Sequence, residues 1–177
     1  KIVSGAGLDS QQDKFRTWQN LFFSRGLTRG LFIFAIQHES EKLQKSEVSR
    51  SMIDRLDHVV VHTNDPDGFV SLYRDKFGIK LSLDQTVEKW GGRMLFFRLN
   101  RTTIEVIGKI EKDGIPKDSF WGLAWSVSDL KAVHRRLTDV GVEVSNIRDG
   151  RKPRTIVCTV KSHTRGVPTL LIEHLDR

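Results

Sequence analysis

Apolar and polar positions along this chain follow two periods, and the switches between them mark its elements. Residues 56–62, LDHVVVH, are apolar and β-branched and predict a strand. The stretch TNDPDG then supplies a turn and N-cap residues for a helix. In FVSLYRDKF, Phe69, Leu72, Tyr73 and Phe77 recur at helical spacing, and Gly78 stands where a glycine ends a helix. Residues 121–142, WGLAWSVSDLKAVHRRLTDVGV, repeat this order. A strand runs into SVSD, where Ser128 or Asp129 can cap, Leu130, Val133 and Leu137 form the apolar stripe, and Gly141 closes the helix. Aligning Asp65 with Asp129 leaves the second helix one residue shorter than the first.

Strand candidates follow each helix: IKLSLDQTV, GRMLFFRLN and TTIEVIGKI after the first, VEVSNIRD, RTIVCTVKS and TLLIEHL after the second. Each unit therefore reads β-α-β-β-β, and the fold class is α+β. Complete modules are expected over 53–108 and 119–177, with a polar linker at 40–52. The N-terminal residues belong to the same pattern. RGLFIFAIQH at 29–38 matches RGVPTLLIEH at 165–174, and FRTWQNLFFSRGLTRG at 15–30 matches PRTIVCTVKSHTRG at 153–166. Residues 1–39 are thus expected to be the closing strands of a further module. Without an opening strand and helix such a fragment cannot bury its sheet, so a preceding segment or a second copy of the chain, as in a homodimer, is expected to complete it.

Composition narrows the class. The chain has 177 residues, 38% hydrophobic and 29% charged, which suits a folded soluble protein. No apolar run approaches the roughly 20 residues of a membrane span. The single cysteine, Cys158, cannot form an internal disulfide, so a reducing, cytoplasmic setting is expected, with Cys158 packed in its sheet. The net charge of +7 is scattered, without an aromatic-interleaved basic stripe, and nucleic acid is not an expected partner. Phosphate-cradling loops, paired-cysteine zinc motifs and nucleophile elbows are absent from the sequence.

The stretches LDHVVVHTNDPDGFVSLYRDKFGI, TTIEVIG, GLAWSVSDLKAVHRRLTDVGV and VPTLLIEH resemble the vicinal oxygen chelate superfamily, which includes glyoxalase I, fosfomycin-resistance proteins and extradiol dioxygenases. The resemblance implies paired βαβββ modules curled into a cup that holds a divalent metal on the first and last strands of each module. It assigns His58, Glu105 and Glu173 as metal ligands, and it aligns the fourth ligand position with Gly122. Imidazole with two carboxylates suits Zn²⁺, Mn²⁺, Fe²⁺ or Ni²⁺ and leaves coordination positions open. The implied chemistry is Lewis-acid catalysis on a small oxygen-rich substrate, of isomerase, lyase, transferase or dioxygenase type. Glu105 or Glu173 would detach as the general base. Metal-free sequestration of a small ligand in the same cup, or a structural role, is the alternative.

Residue types alone leave other readings open. Glu105 can instead pair with Arg98 or Arg101, and Glu173 with Arg154 or Lys161. His62 is expected at the rim of the pocket, and His38, His134, His163 and His174 on the surface or in packing. Gln37 stands where the matching copy has Glu173, so the N-terminal fragment is expected to lack that ligand.

Overall fold

The computed structural model describes residues 1–9, 14–40, 52–109 and 114–175. The expected linker falls almost wholly outside them. Two compact units are present, Lys1–Val48 and Ser49–Arg177.

The first unit is an antiparallel sheet of β1 (Ile2–Asp9), β2 (Lys14–Phe22) and β3 (Phe34–His38), in that order. Phe22, Phe32 and Phe34 cluster with ring centroids 5.2–6.1 Å apart. All three side chains stay partly or largely exposed within the unit.

The second unit carries an eight-stranded mixed sheet. Its first half is β4 (Ile53–Thr63), β5 (Lys80–Val87), β6 (Gly92–Leu99) and β7 (Thr102–Gly108). Its second half is β8 (Asp118–Val127), β9 (Arg148–Asp149), β10 (Thr155–Val160) and β11 (Thr169–His174). The order is β5-β6-β7-β4-β8-β11-β10-β9. In each half the opening and closing strands run parallel, β4 beside β7 and β8 beside β11, and the halves join through the antiparallel pair β4–β8. The protein is α+β, a curled mixed sheet with helices on one face.

Helix α1 (Pro66–Val70) begins at Asp65, whose side chain accepts from the Gly68 N–H at 3.0 Å. Helix α2 (Leu130–Asp139) begins at Asp129, which accepts from the Ala132 N–H at 2.9 Å. Of the two candidate caps it is therefore the acid, not Ser128, that serves. The extra residue in the first helix has a physical outcome. From Ser71 to Lys76 the helix widens to π geometry, and the Phe77 N–H reaches the Leu72 carbonyl five residues back at 3.0 Å. The insertion is absorbed as one wide turn, which lets Phe69, Leu72 and Tyr73 all stay buried.

The two helices cover separate cores. Under α1 lie Leu95, Phe97 and Val106, all fully buried, with Phe69 and Phe97 rings 5.5 Å apart. Under α2 lie Val127, Leu130, Val133, Cys158 and Leu171. Each such large side chain contributes about 1.5–3 kcal/mol on burial. Burial pushes the Cys158 thiol pKa up, in keeping with a packing role.

One expected strand is split. VEVSNIRD forms an isolated bridge at Val144 to Val160 and the two-residue β9. Between them Ser145 donates its N–H to the Thr159 carbonyl, and its hydroxyl, not its carbonyl, accepts from the Thr159 N–H.

The repeated Thr-Arg-Gly has the same backbone in both units. Leu31 N–H bonds to the Thr28 carbonyl, and Val167 N–H to the Thr164 carbonyl. The central residues are left-handed in both turns, Arg29 (φ 56°) and Gly30 (φ 105°), then Arg165 (φ 54°) and Gly166 (φ 81°). Two positive φ angles in succession define the turn that matches hairpin twist, and glycine accepts the second without strain. No helix among the described residues is long and apolar enough to cross a membrane.

Candidate functional site

The helix-free face of the sheet holds the site. Paired residues in register face the same side, so the rows can be read across strands. One row is Arg98, Thr103, His58 and Ala124, on β6, β7, β4 and β8. The next is Phe96, Glu105, Val60 and Gly122. His58 and Glu105 thus stand one row apart on neighbouring strands. Their Nε2 and Oε2 atoms are 3.5 Å apart, and each side chain is about one-sixth exposed, at 17% and 15%. That separation is within ion-pair range and longer than a normal hydrogen bond.

Asp57 completes the constellation. Adjacent strand residues normally point to opposite faces, but β4 is bulged here: Leu56 pairs with Trp125 and His58 with Ala124, leaving Asp57 extra. The bulge turns Asp57 to the side of His58, and its Oδ1 lies 2.9 Å from His58 Nδ1. Its other oxygen, Oδ2, is 2.7 Å from His174 Nε2 and 3.5 Å from Arg55. Burial pushes the Asp57 pKa up. Hydrogen bonds and positive charge from His58 and His174 outweigh this and hold its carboxyl well below the usual carboxylate range. An ionised carboxylate only accepts hydrogen bonds, so His58 Nδ1 and His174 Nε2 are the donors. His58 Nε2 is then the atom left facing Glu105.

Glu173 lies elsewhere. Leu171, two residues before it, packs in the core beneath α2, and Glu173 shares that face. Its Oε2 accepts from the Leu130 N–H at 2.7 Å, at the first turn of α2. Of the expected ligands, the structure brings His58 and Glu105 together and places Glu173 on the opposite side of the sheet. The closing-strand residue that does face the site is the next one, His174. The counterpart of Glu105 in the second half follows from the registers. Glu105 pairs with the residue two after His58, and the residue two after Gly122 is Ala124, which pairs with Leu170.

Gly122 is held open for a backbone, not for a ligand. The Pro168 carbonyl bonds to the Leu123 N–H at 2.9 Å. A Cβ on Gly122 would stand 2.6 Å from that oxygen, so no side chain fits there without moving β11. The second half therefore offers Leu170 and a closed glycine where the first offers Glu105 and His58. Among the described residues no three His, Cys, Asp or Glu side chains are grouped to hold a metal ion. This donor set does not fit a divalent metal held by three or four protein ligands.

The remaining histidines lie outside this constellation. His62 stacks on Trp121, with centroids 5.6 Å apart and planes at 25°. His134 Nε2 meets the Ser145 carbonyl at 3.1 Å, and His163 and His38 are exposed. Asp57 and His174 are the residues that sequence reasoning missed. An acid preceding His58 in LDHVVV was the only visible signal for the first.

Comparisons with known proteins agree with this architecture. Residues 57–159 match the glyoxalase/bleomycin resistance protein/dioxygenase superfamily. Among solved structures, methylmalonyl-CoA epimerase from Mycobacterium tuberculosis superposes with a TM-score of 0.58 at 23% identity, covering 73% of this chain and 93% of that one. A methylmalonyl-CoA epimerase from Streptomyces coelicolor gives 0.56 at 19% identity, covering 70% and 99%. A hypothetical protein from Bacillus halodurans gives 0.56 at 16% identity, covering 70% and 96%. At these identities the likeness is one of fold. No curated protein matches the sequence. With a match that spans more than half its length, the chain belongs to the glyoxalase/bleomycin resistance protein/dioxygenase superfamily.

Proposed function

We propose that the curled sheet binds a small oxygen-rich molecule on its helix-free face and moves a proton on it, with the His58–Glu105 pair as the working end. One observation carries this reading: His58 Nε2 and Glu105 Oε2 lie 3.5 Å apart while Asp57 fixes the far nitrogen of the ring. A histidine whose Nδ1–H is anchored to a carboxylate presents Nε2 in a set orientation, the requirement for general acid–base work. Glu105 is the second proton-holding group at the same point. Asp57 and His174 position His58 and do not touch substrate.

The donor set does not fit a metal, and the proton moves between the bound molecule and the His58–Glu105 pair. Support from the comparisons is at the level of fold and superfamily. The solved relatives named as methylmalonyl-CoA epimerases act, by that name, on a CoA ester, and a carbonyl compound with an exchangeable neighbouring proton is the substrate type proposed for this chain.

Hydrogen exchange tests the reading. Small α-substituted carbonyl acids and thioesters are incubated with the protein in deuterated water and followed by mass spectrometry. Deuterium uptake that falls about 100-fold in Glu105→Gln supports it, given the 10²–10⁴-fold range of such catalysis. Absence of exchange across the panel, or exchange unchanged in the variant, overturns it.

A further inference from the structure

The row that contains His58 ends in two cations. Lys80 on β5 pairs directly with Arg98 on β6, Arg98 with Thr103, and Thr103 with His58. Residues so paired share a face, so both cations stand on the side of the sheet that carries His58 and Glu105. Like charges directly opposite across strands destabilise a sheet. Among the described residues no carboxylate is paired with either. The guanidinium is also directed: Arg98 Nη1 donates to Thr103 Oγ1 at 3.2 Å, which turns the side chain toward β7. One donor is spent on that contact, and the rest of the planar fork stays available.

We propose that Arg98, with Lys80 behind it, holds the carboxylate of a small organic acid beside the His58–Glu105 pair. A guanidinium matches a planar carboxylate with two parallel hydrogen bonds, and an anion there turns the Lys80–Arg98 repulsion into shared attraction. Strands are spaced about 4.8 Å apart. A carboxylate seated over Thr103 on β7 stands one row, about 6.6 Å along the strand, from Glu105, a gap that the Glu105 side chain and a carbon one or two bonds from the carboxylate span together. The substrate class is a short carbonyl acid whose exchangeable carbon lies next to, or one removed from, the anchored carboxylate. The inference rests on the functional reading above and adds the group by which the substrate is oriented.

The test uses malonate and its uncharged diester, dimethyl malonate, as probes of the full chain. The side-chain resonances of His58, assigned with His58→Gln, report occupancy. Malonate is expected to shift them saturably, with affinity at least tenfold weaker in Arg98→Gln, partly recovered in Arg98→Lys, and unaltered in Arg135→Gln on α2. Lys80→Gln is expected to weaken it by a smaller factor. Equal binding of the diester, or malonate binding indifferent to Arg98→Gln, overturns the carboxylate assignment while leaving a ligand-binding face intact. Silence from both probes in the folded wild type overturns the carboxylate assignment, whereas the functional reading is decided separately by hydrogen exchange across the panel of carbonyl acids and thioesters.

Discussion

Glu173 Oε2 lies 2.7 Å from the Leu130 N–H, so this carboxylate satisfies the opening turn of α2. The first amides of a helix lack intrahelical partners and carry the positive end of its dipole. Asp129 takes one of them and Glu173 another. Glu173→Ala is expected to lower stability by about 1–2 kcal/mol. It should leave malonate binding at His58 unchanged. Thermal denaturation and the probe titration check the two halves of this prediction, and a loss of binding with stability retained would place Glu173 in the site after all.

Asp57→Asn should cost about 1.5–3 kcal/mol at neutral pH, the range for hydrogen bonds to a charged group. The sign of its pH dependence follows from the lowered pKa. A carboxyl with a depressed folded pKa contributes stability that is fully present above its unfolded value, about 3.9, and is lost as pH falls through the folded value. The difference between wild type and Asp57→Asn should therefore shrink as pH falls below about 4. Urea denaturation at stepped pH measures it, and a gap that stays undiminished well below about pH 4 would contradict the assignment.

How much of this was legible in the sequence depends on how local each feature is. The helix starts could be narrowed only to TNDPDG and to Ser128 or Asp129, of which Asp65 and Asp129 serve, while the helix ends at Gly78 and Gly141 are set by neighbours in the chain and could be read directly. So could the unequal helix lengths, though not the π turn that absorbs the difference. The facing of β11 could not. Leu170, Leu171 and Ile172 are apolar at three successive positions, so alternation does not tell which parity is buried, and Glu173 and His174 exchange sides with that choice. Asp57 was hidden for a related reason: a bulge is a property of the β4–β8 pairing, invisible in LDHVVV alone.

Metal uptake is expected to be negligible. Protein purified without an affinity metal and titrated calorimetrically with Mn²⁺, Fe²⁺, Ni²⁺ or Zn²⁺ should show no stoichiometric site of micromolar affinity. One ion per chain, lost in Glu105→Ala, would mean that His58 and Glu105 suffice with water and would restore the Lewis-acid reading.

Gly122→Ala should destabilise the protein by about 1–3 kcal/mol, as overpacking against fixed backbone does. Gly122→His should cost more and confer no metal binding, even combined with Leu170→Glu. Chemical denaturation and the same calorimetry decide both, and a tolerated histidine that binds an ion would show that β11 can yield.

The contact between Gly122 and the Pro168 carbonyl also bears on how this protein can change. The space beside the glycine is filled by the path of the chain itself, so placing a donor there would require the segment leading into β11 to be rerouted at the same time. Such a position works as a ratchet. A single substitution can alter the groups around His58 and Glu105, while at Gly122 side chain and backbone have to change together.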